Sequence, residues 1–130
     1  MIDTTATFSF SRARRLDGPH AYAAVFAYKC AVNGRWFQVY ARPNGAEGAR
    51  LGVVVSKRIM KKAVSRNYYK RLARDVFRHQ CASVAGADFV VRPREQIVPE
   101  LAANARVEMA NLLQRAHGHC RSQASAAMAR

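Results

Sequence analysis

From Arg35 to Arg42 the side chains alternate, with Phe37, Val39 and Ala41 on one side and Trp36, Gln38 and Tyr40 on the other. That period of two marks a strand. Pro43-Asn44-Gly45 breaks the run, and Leu51-Gly52-Val53-Val54-Val55 is β-rich enough to be the returning strand. Residues 61–80 change period. At 100° per residue, Val64, Tyr68, Leu72, Val76, Tyr69 and Ala73 cover one half of a helical wheel. Arg66, Asn67, Lys70, Arg71, Arg74 and Arg78 fill the other half. The pattern predicts a helix with an apolar face, Tyr68 included, and a cationic one.

Asp17-Gly18-Pro19 is a helix-start signal, because proline in a first turn loses no needed donor. Tyr22, Val25 and Phe26 then share one face of a short helix. Residues 87–91 form a further short strand. Pro99 to about His117 forms a last helix, with Leu101, Ala105, Leu112 and Ala116 along its inner stripe. The order is helix–strand–strand–helix–strand–helix, with room for one more strand near residues 28–33. Residues 1–7 and roughly 121–130 are small, polar and aperiodic, and are expected to fray.

A chain of 130 residues is bounded to one compact domain with a modest core. Half of its residues are hydrophobic, too many for a disordered basic tail. No run approaches the ~18–20 apolar residues of a membrane-spanning helix, and the first residues lack the pattern of a secretory signal. Cys30, Cys81 and Cys120 are odd in number and widely spaced, which fits buried thiols in a reducing cytoplasm better than disulfides or a metal knuckle. His117-Gly118-His119-Cys120 fits no metal-site spacing beyond adventitious capture.

Charge sharpens the picture. The formal net charge is +14, and residues 50–78 hold ten bases against one acid, Asp75. A smaller cluster is Arg12, Arg14 and Arg15. A row such as Arg66, Lys70 and Arg74 repels itself, so without facing acids it implies an external anion. Nucleic-acid phosphates fit, since each one neutralised releases counterions. Anionic lipid fits less well, because Tyr68, Leu72 and Val76 are needed for the core. Aromatic side chains interleaved with bases can stack on unpaired nucleobases. Trp36 and Tyr40 are balanced between that role and packing, whereas Phe26 and Phe37 lean toward the core.

The stretch Arg50-Leu51-Gly52-Val53-Val54-Val55-Ser56-Lys57-Arg58, followed by Ala63-Val64-Ser65-Arg66-Asn67-Tyr68-Tyr69-Lys70-Arg71-Leu72-Ala73-Arg74, closely resembles the signature of the bacterial ribonuclease P protein component. Arg14-Arg15-Leu16, Tyr22 with Val25-Phe26, residues 35–40 and residues 86–91 extend the likeness across residues 12 to about 116. Two positions depart from it. Tyr68 stands where the family usually has a third cation, and Met60 where it commonly has glycine.

The resemblance implies a single small α/β (α+β) domain. It has a mixed sheet of about four strands, two to three helices and a left-handed βαβ crossover, similar to a domain in ribosomal proteins. Its bounds are residues 12–118, between a flexible N-terminus (1–11) and a flexible C-terminal tail (119–130). The implied function is that of a cytoplasmic ribonucleoprotein subunit, in which a catalytic RNA holds Mg²⁺ and cleaves the 5′ leader from precursor tRNA. The protein supplies no catalytic residue and is inactive alone, and neither a membrane nor an obligate protein partner is implied. Lys57, Arg58, Lys61, Lys62, Arg66, Asn67, Lys70, Arg71 and Arg74 would bind the catalytic RNA. Tyr22, Phe26, Phe37 and Tyr40, with Arg14 and Arg15, would bind the leader. The alternatives are a ribosomal or general RNA-binding protein, and a protein-only nuclease. The nuclease needs clustered carboxylates, and Asp17, Asp75, Asp88 and Glu95 show no such spacing.

Overall fold

The structure, a computed structural model, describes residues 14–128. Helix α1 spans Pro19–Tyr28, and strands β1, β2 and β3 span Ala31–Asn33, Phe37–Pro43 and Arg50–Val53. Helix α2 (Ala63–Gln80), strand β4 (Ala87–Pro93), a 3₁₀ turn (Pro99–Leu101) and helix α3 (Ala102–Met128) follow. The sheet order is β1-β2-β4-β3, with β3 parallel to β4 and the other pairs antiparallel. Thus β3, α2 and β4 form a βαβ unit, and the expected extra strand is the three-residue β1.

Alternation sorts the sheet into two faces. Phe37, Val39 and Ala41 of β2 and Ala87, Phe89 and Val91 of β4 lie in the main core beneath α2 and α3. Tyr69, Leu72, Ala73, Val76 and Phe77 come from α2, and Ala105, Met109, Leu112, Leu113 and Ala116 from α3. The Tyr69 ring lies 5.1 Å from that of Phe37. Its hydroxyl is buried without a hydrogen-bond partner among the described residues. Burial, and secondarily the Glu108 carboxylate, push the Tyr69 phenol far above its usual range, so it stays neutral.

The opposite face carries a smaller cluster of Leu16, Val25 and Val90, flanked by Tyr22, Phe26, Tyr40 and Val54. Helix α1 covers only part of this face, leaving partly exposed aromatic rings beside it.

Polar contacts join distant segments. The Glu108 carboxylate of α3 accepts backbone N–H bonds from Arg35, Trp36 and Phe37 at 2.6–3.1 Å, fixing the β1–β2 turn. Gly86 enters β4 at φ +83°, a conformation that favours glycine.

Three expectations change. Helix α3 continues past residue 118 to Met128, because Cys120 is fully buried and its carbonyl accepts the Tyr28 hydroxyl at 3.2 Å. Residues 119–128 are therefore helix, not a tail, while the N-terminal segment 1–11 and Arg12 lie outside the described residues. Tyr68 and Val64 are exposed, not core. Phe77 joins the buried side and moves its centre, so the inward arc runs from about 80° to 220° counted from Val64. Trp36 is buried in the main core, with the Arg35 guanidinium 4.7 Å from its ring. No helix among the described residues is long and apolar enough to cross a membrane.

Candidate nucleic-acid interface

The basic link and α2 form one surface. Lys57, Arg58, Lys61, Lys62, Asn67 and Arg71 are exposed, and Arg66, Lys70 and Arg74 are half-buried. The link between β3 and α2 is held in shape by its own residues. Ser56 accepts the Arg58 N–H through its hydroxyl and the Met60 N–H through its carbonyl, both at 3.0 Å. The Met60 side chain is buried in the main core and anchors the link there.

Arg66 does not belong to a wholly unpartnered row. Its Nη1 donates to the carbonyls of Met60 and Lys61 at 2.9 and 2.8 Å. The charge therefore braces the link from within α2. Helix α2 begins after Lys62 with no side-chain cap and no acid in its first turn. Its unsatisfied N–H groups add to the positive field of Lys61 and Lys62. Asp75, the acid in this region, is occupied by Arg78 and Arg106.

The second surface lies between α1 and the smaller face of the sheet. The Phe26 and Tyr40 rings meet edge to face at 4.8 Å, and the Arg92 guanidinium stands 5.8 Å from the Phe26 ring. Tyr22 sits over β3 where Gly52 leaves room, since a Cβ there would come within 2.6 Å of its ring. Half-exposed rings beside a cation suit an unpaired nucleobase and its phosphate.

The structure brings Tyr22, Phe26 and Tyr40 together and leaves Phe37 out. Phe37 is fully buried on the other side of the sheet, because odd-numbered positions of β2 face the main core. Arg14 also turns elsewhere. Its guanidinium contacts the Cys81 sulfur and lines a cavity with Glu47 and Arg78 at the C-terminal end of α2. Arg15 is exposed and bridges to Leu51 on β3. Arg92 was not expected. Extending the alternation of Val90 by two residues places it on the aromatic face, and the strand does run on to Pro93.

Among the described residues no three His, Cys, Asp or Glu side chains are grouped to hold a metal ion.

A sequence model of the family described as Ribonuclease P matches residues 10–117. The ribonuclease P protein component of Chromobacterium violaceum is 37% identical over 120 residues, covering 92% of this chain and 98% of that protein. Among solved structures, the ribonuclease P protein of Thermotoga maritima superposes with a TM-score of 0.64 at 32% identity, covering 78% of this chain and 96% of that one. The protein of Staphylococcus aureus gives a TM-score of 0.61 at 27% identity, covering 81% and 93% respectively.

Proposed function

This chain belongs to the ribonuclease P protein component family, and from that premise we propose how its two surfaces divide the work of tRNA 5′ maturation. As a member it is the protein subunit of the ribonucleoprotein that endonucleolytically processes tRNA 5′ ends, with an RNA subunit as its partner. The basic link and α2 bind that RNA: Lys57, Arg58, Lys61, Lys62, Lys70, Arg71 and Arg74 approach phosphates, and Asn67 adds a directional hydrogen bond. Arg66 shapes the link that presents them. The cleft of Tyr22, Phe26, Tyr40 and Arg92 takes the single-stranded leader of precursor tRNA, and Arg15 extends its cationic border.

The observation that carries this reading is the separation of the two chemistries. Cationic side chains are concentrated on α2, over one face of the sheet, and half-exposed rings on the other face. One domain can then hold a structured RNA and an unpaired strand together. Mg²⁺ held by the RNA subunit would supply the chemistry of cleavage. The protein's cations replace part of the ionic screening that the folded RNA otherwise takes from dissolved metal. The buried free thiols of Cys30, Cys81 and Cys120 suit a cytoplasmic setting.

Reconstitution tests this: the full chain, the catalytic RNA of the same bacterium and a precursor tRNA, scored for leader release across a Mg²⁺ series. The protein alone should release no leader, and adding it should lower the Mg²⁺ that the RNA needs. Robust cleavage by RNA-free protein, or an unchanged Mg²⁺ requirement, contradicts the reading.

A further inference from the structure

Beside its cationic row α2 carries a second stripe, made of Val64, Tyr68 and Arg71 at successive turns. Val64 is 78% exposed and Tyr68 44%. With Met60 they form one wall of an open cavity of about 320 Å³, whose other wall is Gln96, Ile97 and Pro99. The neighbouring Val98 is also 46% exposed. A contiguous apolar patch rimmed by polar groups is where a folded chain meets something else.

Tyr68 is shared with an adjoining cavity of about 270 Å³, lined also by Arg71, Leu72, Asp75 and Arg106. The ring thus stands between an apolar cleft and a guanidinium-bearing one. Exposed Lys61 and Lys62 lie a turn or more before it, and Arg71 almost one turn after. Of the nearby carboxylates, Asp75 is held by Arg78 and Arg106, Glu95 by Arg35, and Glu100 is exposed at the 3₁₀ turn.

We infer that this cleft receives one unstacked base of the catalytic RNA, with Tyr68 as its stacking face and Lys61, Lys62 and Arg71 on the flanking phosphates. The inference rests on the reading that α2 meets the catalytic RNA. Where the family resemblance expects a cation, this chain has the Tyr68 ring. The alternation of cation, apolar surface, ring and cation along the stripe matches the alternation of phosphate and base along a strand. A second copy of the chain is a poorer occupant, because it would bring two net-basic faces together, each setting Glu100 against Lys61, Lys62 and Arg71. The leader is excluded by position, since its cleft is across the sheet.

The test uses the full chain and the catalytic RNA of the same bacterium. Tyr68→Ala should weaken binding about tenfold, the scale of one lost base stack, with the salt dependence of the wild type. Tyr68→Phe should bind like wild type. In Tyr68→Trp the new indole should be quenched by the catalytic RNA and not by precursor tRNA alone. Unchanged affinity of Tyr68→Ala, or an unquenched indole, overturns the inference. So does quenching by precursor tRNA alone. Concentration-dependent self-association that Tyr68→Ala abolishes, with RNA affinity intact, also overturns it and identifies an interface between copies. Failure of the underlying reading looks different: Lys70→Ala would then leave the salt slope at the wild-type value.

Discussion

Tyr22 of α1 occupies the space that a side chain at Gly52 of β3 would fill: a Cβ there would stand 2.6 Å from the tyrosine's Cε2 and Cζ and 2.7 Å from its hydroxyl oxygen. The missing side chain on the strand is what lets the ring rest on the sheet. Gly52→Ala should therefore push the Tyr22 ring outward. Because the ring tip is half-exposed and can swing, the stability loss should stay near the lower end of the roughly 1–3 kcal/mol typical of overpacking. Precursor tRNA binding should fall as in Tyr22→Ala, and the double variant should be no worse than either single one. Additive losses would show that Gly52 acts elsewhere.

Asp88 is buried on β4 and accepts Arg50 Nε at 2.8 Å and Nη2 at 2.7 Å, with Asn44 Nδ2 at 2.9 Å. Arg50 and Asp88 are register partners across the parallel β3–β4 pair. The hydrogen bond to Asp88 raises the Arg50 pKa above its ordinary value, so the guanidinium stays charged. Removing one partner of a fully buried pair costs about 3–5 kcal/mol. Arg50 is partly exposed, so Arg50→Ala should cost about 2–3 kcal/mol in urea unfolding. A loss below about 0.5 kcal/mol would mean that water replaces the arginine.

Two neighbouring cations on α2 should behave differently. Lys70→Ala should lower affinity for the catalytic RNA, flatten the salt slope by about one and leave the unfolding midpoint unchanged or slightly higher. Arg66→Ala frees the carbonyls of Met60 and Lys61, so it should weaken binding and also cost roughly 1–2 kcal/mol of stability. Equal midpoints for the two variants would contradict the bracing role.

Burial, with a smaller contribution from nearby Cys30, pushes the Cys120 thiol up from 9.0 to about 11. The folded chain thus holds this proton more tightly than the unfolded one. Stability from this group is complete below about pH 9 and is lost as pH rises through about 11. Thermal unfolding of Cys120→Ala should show a shallower decline across that window than wild type, and parallel curves would refute the assignment.

The parts of the fold visible in the sequence are those that a local period controls. Strand β2 is fully buried on one side and partly covered on the other, so Phe37, Val39 and Ala41 stand out from Gln38 and Tyr40, and the cationic half of α2 is equally plain. What period alone could not decide was which apolar residues at the edge of a face are covered. Val64 and Tyr68 look inward on a wheel, yet they lie outside the buried arc, which centres near Tyr69 and reaches Phe77 at its far edge. Period puts Phe37 and Tyr40 on opposite faces of one strand, and the full cover of one face by α2 and α3 against the partial cover of the other by α1 makes one core and the other cleft wall. The contacts of Asp88 with Arg50 and of Tyr28 with Cys120 join segments far apart in the chain, and no local signal marks them. Charge already pointed to nucleic-acid phosphates, and the family signature supplied which RNA carries them.

We propose that the α1–sheet cleft reads the unpaired leader while α2 supplies affinity for structured RNA. The most direct test is the ratio of precursor to mature tRNA affinity, measured on the reconstituted particle with Tyr22→Ala and Tyr40→Ala beside wild type. Mature tRNA carries the same phosphates and lacks the leader, so stacking at about 1–3 kcal/mol per base should appear only for the precursor. The ratio should fall about tenfold or more in each variant, with mature tRNA affinity unchanged. A ratio that stays at the wild-type value while unfolding shows a loss of about 2–4 kcal/mol would make both tyrosines packing residues and contradict the account.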